Sequence, residues 1–400
     1  MAQRLLTQNR VGIRTSNMSK RVRENIAGRT VALLLLTAGA VVGGQTKSYT
    51  PEPHASTDRP LLKIDLRKYG YEPYWSGVLD PLSLAFTEDN GVLVAWSKFD
   101  DPHADRKINT STPVPSHLSA LILDTSSGKI ERSGQWPSSY FDATIGPLGK
   151  QSFAACLGDR IQLLSNEFGV IQSQVLSPPN TCNEIRMSPR RELFSVQTRA
   201  GSSLLDARTF RPIAAWSSEE VFNVHFTDSL LVGLCKPDFG LCLRKIDEPW
   251  HPFHPDGIGQ HINTFRTRGP IFVNDSTLAI VDLQEMSVVT LDGVLLFRVD
   301  LPKKFSFSRV ATSVGGDKFA CIETRMRGSA ALDMEFVADD HIVVYDLHEK
   351  RATYTHKLNG GSPWIPPFME HRSRVALSHD SSLLAILDDG ILEVYKVPAE

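Results

Sequence analysis

The chain has 400 residues, of which 41% are hydrophobic and 22% are charged, and its formal net charge is −2. This balance excludes a wholly disordered chain, a collagen-like fibre and a polytopic membrane protein. Residues 1–30 carry seven basic side chains and one acid, a net +6 that leaves −8 for the remainder. Because phosphate binding needs clustered Lys and Arg, we expect no nucleic-acid partner for this acidic body.

The amino end has the pattern of a secretory signal peptide. A basic stretch leads into the apolar run Val31–Val42, which is well short of the roughly 20 residues that span a membrane, and small residues follow it. We predict a signal peptide region over 1–44, with Met18 as an alternative start, and export to the periplasm or the extracellular space. An uncleaved signal anchor is the alternative, and it would attach the protein to a membrane. Residues 45–60 carry three prolines and no apolar periodicity, which predicts a flexible leader.

The body of the chain, residues 61–398, repeats one β-rich unit. The clearest copy is Arg374–Val397, in which polar turns join three short apolar strands and an Asp-Gly pair predicts the second hairpin. The same pattern recurs around Met187 and Phe226, which lie 39 residues apart. A four-stranded repeat of roughly 40–50 residues has the period of a β-propeller blade. The sequence therefore predicts an all-β fold, a single β-propeller of four-stranded blades.

The repeats resemble WD40-like propellers and the YVTN-type propellers that bacteria secrete. The resemblance is carried by the serine, the aspartate and the Leu-Ala-Ile run within Leu377–Ile386. It is also carried by Val-Tyr-Lys at Val394–Lys396 and Val-Tyr-Asp at Val344–Asp346. It implies a propeller over residues 61–398.

Seven units can be marked along this body. The last holds three strands, and the strand Leu61–Arg67 at the other end of the body would complete it and close the ring. We therefore predict seven blades, with six or eight as alternatives, and we expect the insertions Asp100–Ser116 and Arg325–Asp339 to form excursions on one face. The units are 76–137, 139–177, 181–217, 220–256, 265–302, 305–358 and 370–398.

The chain has five cysteines, and in an exported protein disulfides persist. Cys235 and Cys242 flank a turn centred between Asp238 and Phe239, which would place them directly opposite each other across a hairpin. We predict a disulfide here, and two buried thiols are the alternative. The three histidines of residues 251–261 lie in a loop rich in Pro and Gly, so we expect no metal site.

Polar side chains at the start of the inner strands are the candidates for ligand binding, because the inner strand of each blade lines the channel of a propeller. Alignment of the repeats places several such residues at one equivalent position, and their mixed charge suits a small polar ligand or a peptide. The predicted channel-rim residues are Glu184, Asn223, Arg309 and Arg374, with Arg186 and His225 two steps further along their strands.

The sequence contains no motif of the serine hydrolases, the zinc proteases or the phosphate-binding loops. The leading hypothesis is an exported, non-catalytic propeller that binds or scaffolds an unknown protein or a small polar ligand, without a cofactor. The alternative is an enzyme on the same fold, such as a lactonase or another hydrolase that uses channel carboxylates or a metal, since propellers host both kinds of function.

Overall fold

The structure is a computed structural model that describes residues 59–71, 83–98, 117–137, 143–149, 152–176, 181–198, 201–256, 269–313, 316–329, 334–358 and 374–398. The predicted signal peptide region 1–44, most of the leader 45–60 and the insertion 100–116 lie outside the described residues. Within the described ranges, no helix combines the length and the apolar character that crossing a bilayer requires.

The described residues form seven antiparallel sheets of four strands each, so the predicted seven-bladed β-propeller is confirmed. The first elements of the described residues are β1 (Leu62–Asp65) and one 3-10 helical turn (Leu66–Tyr69). Blades 1 to 6 then follow in chain order, and blade 7 combines the last three strands with β1. The described strands of blades 1 to 6, and the last three strands of blade 7, each lie within one of the seven marked units.

The strands of blades 1 to 3 are β2 (Ser83–Phe86), β3 (Val92–Lys98), β4 (His117–Leu123), β5 (Ile130–Pro137), β6 (Thr144–Leu148), β7 (Ser152–Cys156), β8 (Arg160–Ser165), β9 (Val170–Val175), β10 (Cys182–Met187), β11 (Leu193–Thr198), β12 (Gly201–Asp206) and β13 (Pro212–Trp216). Blades 4 and 5 contain β14 (Val221–Phe226), β15 (Leu230–Cys235), β16 (Gly240–Lys245), β17 (His251–Pro252), β18 (Gly269–Asn274), β19 (Thr277–Val281), β20 (Glu285–Thr290) and β21 (Leu295–Asp300). Blades 6 and 7 contain β22 (Phe305–Thr312), β23 (Lys318–Ser329), β24 (Met334–Asp346), β25 (Arg351–Lys357), β26 (Arg374–Leu377), β27 (Leu383–Asp388) and β28 (Ile391–Lys396).

The ring closes through β1, which pairs with β28 as the outer strand of blade 7. Ile64 lies opposite Leu392, and the ammonium group of Lys63 lies 2.7 Å from a carboxylate oxygen of Glu393. Leu66, in the helical turn that follows, is fully buried against the same blade. The first and last segments of the body are therefore neighbours in space, as the orphan strand predicted.

The repeated acidic residue after the third strand of a blade has a structural role. The carboxylates of Asp124, Asp206 and Asp346 each accept hydrogen bonds from the backbone N–H groups two and three residues further on. This is the Asx-turn geometry that tightens the connection to the outer strand. In blade 7, Asp389 and Gly390 both have positive φ, at 45° and 83°, which is the conformation that the Asp-Gly hairpin pattern predicts.

Apolar side chains fill the gaps between the blades, with one buried cluster at each of the seven interfaces. Successive residues of a strand point to opposite faces of its sheet. Each blade therefore packs one face against the preceding blade and the other face against the following blade. This stacking gives every four-stranded sheet two covered faces, which a single small sheet cannot have by itself.

Two details differ from the sequence analysis. Part of the expected excursion at Arg325–Asp339 is instead a continuation of the ladder, in which β23 and β24 extend as one long hairpin. The turn between β15 and β16 is also centred one residue earlier than expected: Cys235 lies opposite Gly240, and Cys242 lies opposite Gly233. The two cysteines are therefore diagonal neighbours on one face, and their sulfur atoms are bonded.

Candidate functional site

The top face of the ring is defined here as the end at which each inner strand begins. Three of the predicted rim residues, Glu184, Arg186 and Asn223, line one cavity at this end, between blades 3 and 4. His225 lies beside them, with a ring nitrogen 3.4 Å from a guanidinium nitrogen of Arg186. The structure therefore brings four of the six predicted residues together, and we call this space the blade 3–4 cavity.

The other two predicted residues lie elsewhere. Arg374 begins β26 in blade 7 and is 8% exposed, so its guanidinium group is buried in the blade rather than presented at the rim. Arg309 lies within β22 in blade 6, at a shift in the register with β23, and its side chain is not among those that the structure describes.

One wall of the cavity is a single polar row across blade 3. Glu184 pairs with Gln197, Gln197 pairs with Ser202, and Ser202 pairs with Trp216, so one residue from each strand contributes to the row. All four side chains line the cavity. The row therefore presents a carboxylate, an amide, a hydroxyl group and an aromatic ring to the same space.

The opposite wall is the start of β14 in blade 4, residues 221–224. The ladder between β14 and β15 shifts register here, and Asn223 takes a left-handed conformation with φ of 50°. A bulge of this kind turns a side chain away from the direction that a regular strand would give it. Asn223 is solvent-exposed and belongs to the cavity lining, so its amide is available at the mouth.

The floor of the cavity near Trp216 requires glycine. Gly201 begins β12 with φ of 145°, and a Cβ atom there would lie 2.6 Å from the carbonyl oxygen of Trp216. Such a contact is shorter than real Cβ atoms show, and the obstructing atom is backbone. Gly201 therefore lets the backbone of the outer strand come close, which positions Trp216 at the end of the polar row.

The charges of the cavity are paired along β10. Two nitrogens of Arg186 each lie 3.0 Å from an oxygen of Glu184, which is a bidentate ion pair between residues on the same face of one strand. Both side chains remain about two-fifths exposed, at 39% and 38%. Burial, followed by the positive charge of Arg186, lowers the pKa of His225 to about 3, so the imidazole is neutral at physiological pH.

The size of the cavity limits what it can hold. Its volume is about 170 Å³, below the roughly 300–1,000 Å³ of pockets that enclose a drug-sized ligand. At about 30 Å³ for each water in the liquid, it matches some five or six waters, which is the size of one polar side chain or a similar small group. Among the described residues, no group of three His, Cys, Asp or Glu side chains is placed to hold a metal ion.

The bottom end of the channel is built differently. Arg191 of blade 3 donates a 2.6 Å hydrogen bond to the backbone carbonyl of Phe86 in blade 1, and Arg190 forms a 2.9 Å ion pair with Asp275 in blade 5. These blades are not neighbours in the ring, so both contacts reach across the channel. Burial lowers the pKa of Arg191. Arg190 and Arg191 therefore link blade 3 to blades 5 and 1, which is a structural role. The alignment of the first residues of the inner strands could not reveal these contacts.

Sequence reasoning also missed Gln197, Ser202 and Trp216, which complete the cavity. The available signal was the pair of polar residues Gln197 and Ser202, at positions where blade 7 carries Leu387 and Leu392. A second disulfide, between Cys156 of blade 2 and Cys182 of blade 3, was missed as well. It anchors the first residue of β10, two positions before Glu184.

No protein-family model matches the chain, and no curated protein matches it in sequence. Solved structures do resemble it. Kluyveromyces lactis Hsv2 is 14% identical with a TM-score of 0.52, and the match covers 81% of this chain and 94% of that one. The form of Hsv2 with loop 6CD replaced by a Gly-Ser linker is 15% identical, with a TM-score of 0.51 and the same coverage.

A chain of the Mitotic Checkpoint Complex is 12% identical with a TM-score of 0.53, and the match covers 94% of this chain and all of that one. The structural neighbours are WD40 β-propellers, which agrees with the WD40-like resemblance of the repeats. At these identities the likeness shows the fold alone.

Proposed function

We propose that the protein is a non-catalytic binding propeller that receives a partner protein on its top face, with one polar side chain of the partner inserted into the blade 3–4 cavity. The observation that carries the proposal is the polar row of blade 3, at a position between blades where an apolar contact would stabilise the ring. A polar gap costs stability, because it forgoes burial of apolar surface. A binding role accounts for that cost.

The chemistry of the lining fits a polar side chain. Asn223 and Gln197 supply amides that both donate and accept hydrogen bonds, and Ser202 supplies a hydroxyl group. Trp216 offers an aromatic ring of the kind that is enriched where binding energy is concentrated. Arg186 and Glu184 both remain partly exposed, so each can offer a charged group to a polar side chain of the partner.

The neighbouring structures support a binding role by analogy. One of them is a chain of an assembly named the Mitotic Checkpoint Complex, so that propeller is part of a protein complex. The propeller fold also hosts enzymes, so this analogy is weaker support than the cavity itself.

The test is a selection of peptides on the purified protein from a displayed random library, followed by calorimetric titration of the enriched peptides. Arg186→Ala should weaken their binding at least tenfold. Arg298→Ala is the matched control, because Arg298 also forms a same-strand ion pair, with Asp300, but on the outer strand of blade 5. Peptides that bind both variants and the unaltered protein equally well would refute the proposed site.

The proposal includes export, in keeping with the resemblance of the repeats to the secreted bacterial YVTN-type propellers. Its support is the short apolar run Val31–Val42 together with the disulfides Cys156–Cys182 and Cys235–Cys242. Disulfides persist in oxidising compartments and are rare in the cytosol. The mature chain would then begin with the leader that ends at residue 60.

Amino-terminal sequencing of the protein from its native cells should find cleavage between Leu36 and Thr46. Peptide mapping under non-reducing conditions should recover both disulfides from the same material, with Cys321 as the free and buried thiol. A cytosolic chain with its amino end intact and alkylatable Cys235 and Cys242 would contradict export.

A further inference from the structure

The outer strand of blade 2, β9, is an exposed and largely apolar edge. All six residues from Val170 to Val175 are exposed. Three of them are aliphatic, with exposed fractions of 54% for Val170, 59% for Ile171 and 65% for Val175. Because β9 is the last strand of its sheet, its outer edge pairs with no other strand of the described chain. An edge of this kind is a template for another strand.

The other outer strands carry the features that protect sheet edges, namely charges, prolines or very short length. In contrast, β9 has the sequence Val-Ile-Gln-Ser-Gln-Val, with no charge, no proline and no glycine. The protecting residues elsewhere are Lys63 and Asp65 in β1, Glu131, Arg132 and Pro137 in β5, Pro212 in β13, Pro252 in the two-residue β17, Arg298 and Asp300 in β21, and Arg351 and Lys357 in β25.

The hydrogen-bond pattern shows which backbone groups of β9 face outward. The N–H group of Leu176, directly after the strand, donates to the carbonyl of Asp159 on the β8 side at 2.8 Å. Backbone groups alternate in direction along an antiparallel strand, so those of Ser173 and Val175 point away from β8. Ser173 thus presents both a donor and an acceptor near the middle of the free edge.

We infer that β9 pairs antiparallel with β9 of a second copy of this chain, about a two-fold axis at Ser173. In that register Ser173 lies opposite itself, Ile171 lies opposite Val175, and Gln172 lies opposite Gln174. Every pair matches like with like, aliphatic with aliphatic and amide with amide. A two-fold interface requires such self-complementarity, and residues 171–175 of this strand provide it.

The charges around the edge permit this pairing. Arg160, which lies opposite Val175 on β8, forms a 3.0 Å ion pair with Asp159. The charge of Arg160 is therefore balanced within its own copy. The result would be one continuous eight-stranded sheet that joins two propellers, with their top faces left open.

A cysteine scan of the full chain tests the register directly. Ser173→Cys should form a covalent dimer under mild air oxidation, because directly opposite Cβ atoms lie about 4.5–5.5 Å apart, close to disulfide range. Gln172→Cys should remain monomeric on a non-reducing gel, since its opposite neighbour is Gln174. No covalent dimer from Ser173→Cys, or an equal yield from Gln172→Cys, would overturn the inference.

Sedimentation velocity provides the second readout. The unaltered protein should convert from monomer to dimer over a hundredfold range of concentration, whereas Ser173→Lys should stay monomeric because it places like charges directly opposite each other. Ile213→Lys, on the exposed outer strand β13, is the matched control and should dimerise normally. A dimer that survives Ser173→Lys, or an unaltered protein that is monomeric throughout, would also overturn it.

Discussion

Two rows of side chains at equivalent positions in blades 3 and 7 show how one repeat serves two purposes. In blade 7 the row is Arg374, Leu387, Leu392 and Ile64, and its leucines lie in the buried cluster against blade 1. In blade 3 the corresponding row is Glu184, Gln197, Ser202 and Trp216, and it lines the blade 3–4 cavity. The row in blade 7 packs at the interface that closes the ring. The row in blade 3 makes fewer apolar contacts and leaves a polar cavity between the blades.

The comparison shows that the two interfaces contribute differently to stability. Fourteen buried apolar side chains form the cluster between blades 7 and 1, and eight form the cluster between blades 3 and 4. The closing interface joins the two ends of the chain, so it has to be strong. The blade 3–4 interface joins blades that are consecutive in the chain, so the chain itself holds them together.

The largest expected effect comes from removing the closing strand. Deleting residues 61–67 should abolish cooperative unfolding, because Leu62 and Leu66 each contribute roughly 1.5–3 kcal/mol of burial and the apolar face of blade 7 becomes exposed. Deleting leader residues 46–58 should be nearly neutral. Thermal melting of the two truncations, followed by circular dichroism, makes the comparison, and equal melting temperatures would count against closure.

Matched substitutions at the third position of each row compare the interfaces directly. Leu392→Ala should lower the free energy of unfolding by about 2–5 kcal/mol, since it opens a cavity in a packed cluster. Ser202→Ala should change it by less than about 0.5 kcal/mol, because the residue already faces a cavity. Urea titration measures both values, and a loss of similar size at Ser202 would mean that the polar row is part of the stabilising core.

A further expected effect is on the pH dependence of stability, and it tests the burial of His225 beside the blade 3–4 cavity. Because the pKa of His225 falls to about 3 on folding, the unfolded chain binds more protons than the folded one between about pH 3 and 6.5. Stability should therefore fall as the pH is lowered through that window, by up to about 1.4 kcal/mol per pH unit from this residue.

His225→Gln should flatten the slope of the unfolding free energy between pH 6.5 and 4.5, a range that lies above most carboxylate titrations. His251→Gln, on the exposed strand β17, is the control and should leave the slope unchanged. An unaltered slope in His225→Gln would show that the imidazole is already solvated.

The sequence was sufficient for the architecture because each blade repeats one strand and turn pattern, and because the orphan strand Leu61–Arg67 had one place to pair. The candidate residues at the starts of β10 and β14 could also be predicted, since alignment of the repeats placed Glu184 and Asn223 at equivalent positions. Whether such residues meet depends on how two blades pack. Arg374 has the same alignment position and is buried. The Cys156–Cys182 disulfide joins two blades, so no hairpin rule could predict it.

The most direct test of the account is to observe the blade 3–4 cavity while a partner peptide binds. Trp216 lies in the cavity, and Trp136, near the end of the outer strand of blade 1, has the same exposed fraction of 8%. In protein labelled with 5-fluorotryptophan, a peptide enriched on the unaltered protein should shift the fluorine resonance of Trp216 and leave that of Trp136 in place. Saturating peptide that shifts Trp136 alone, or leaves Trp216 unmoved, would contradict binding at this site.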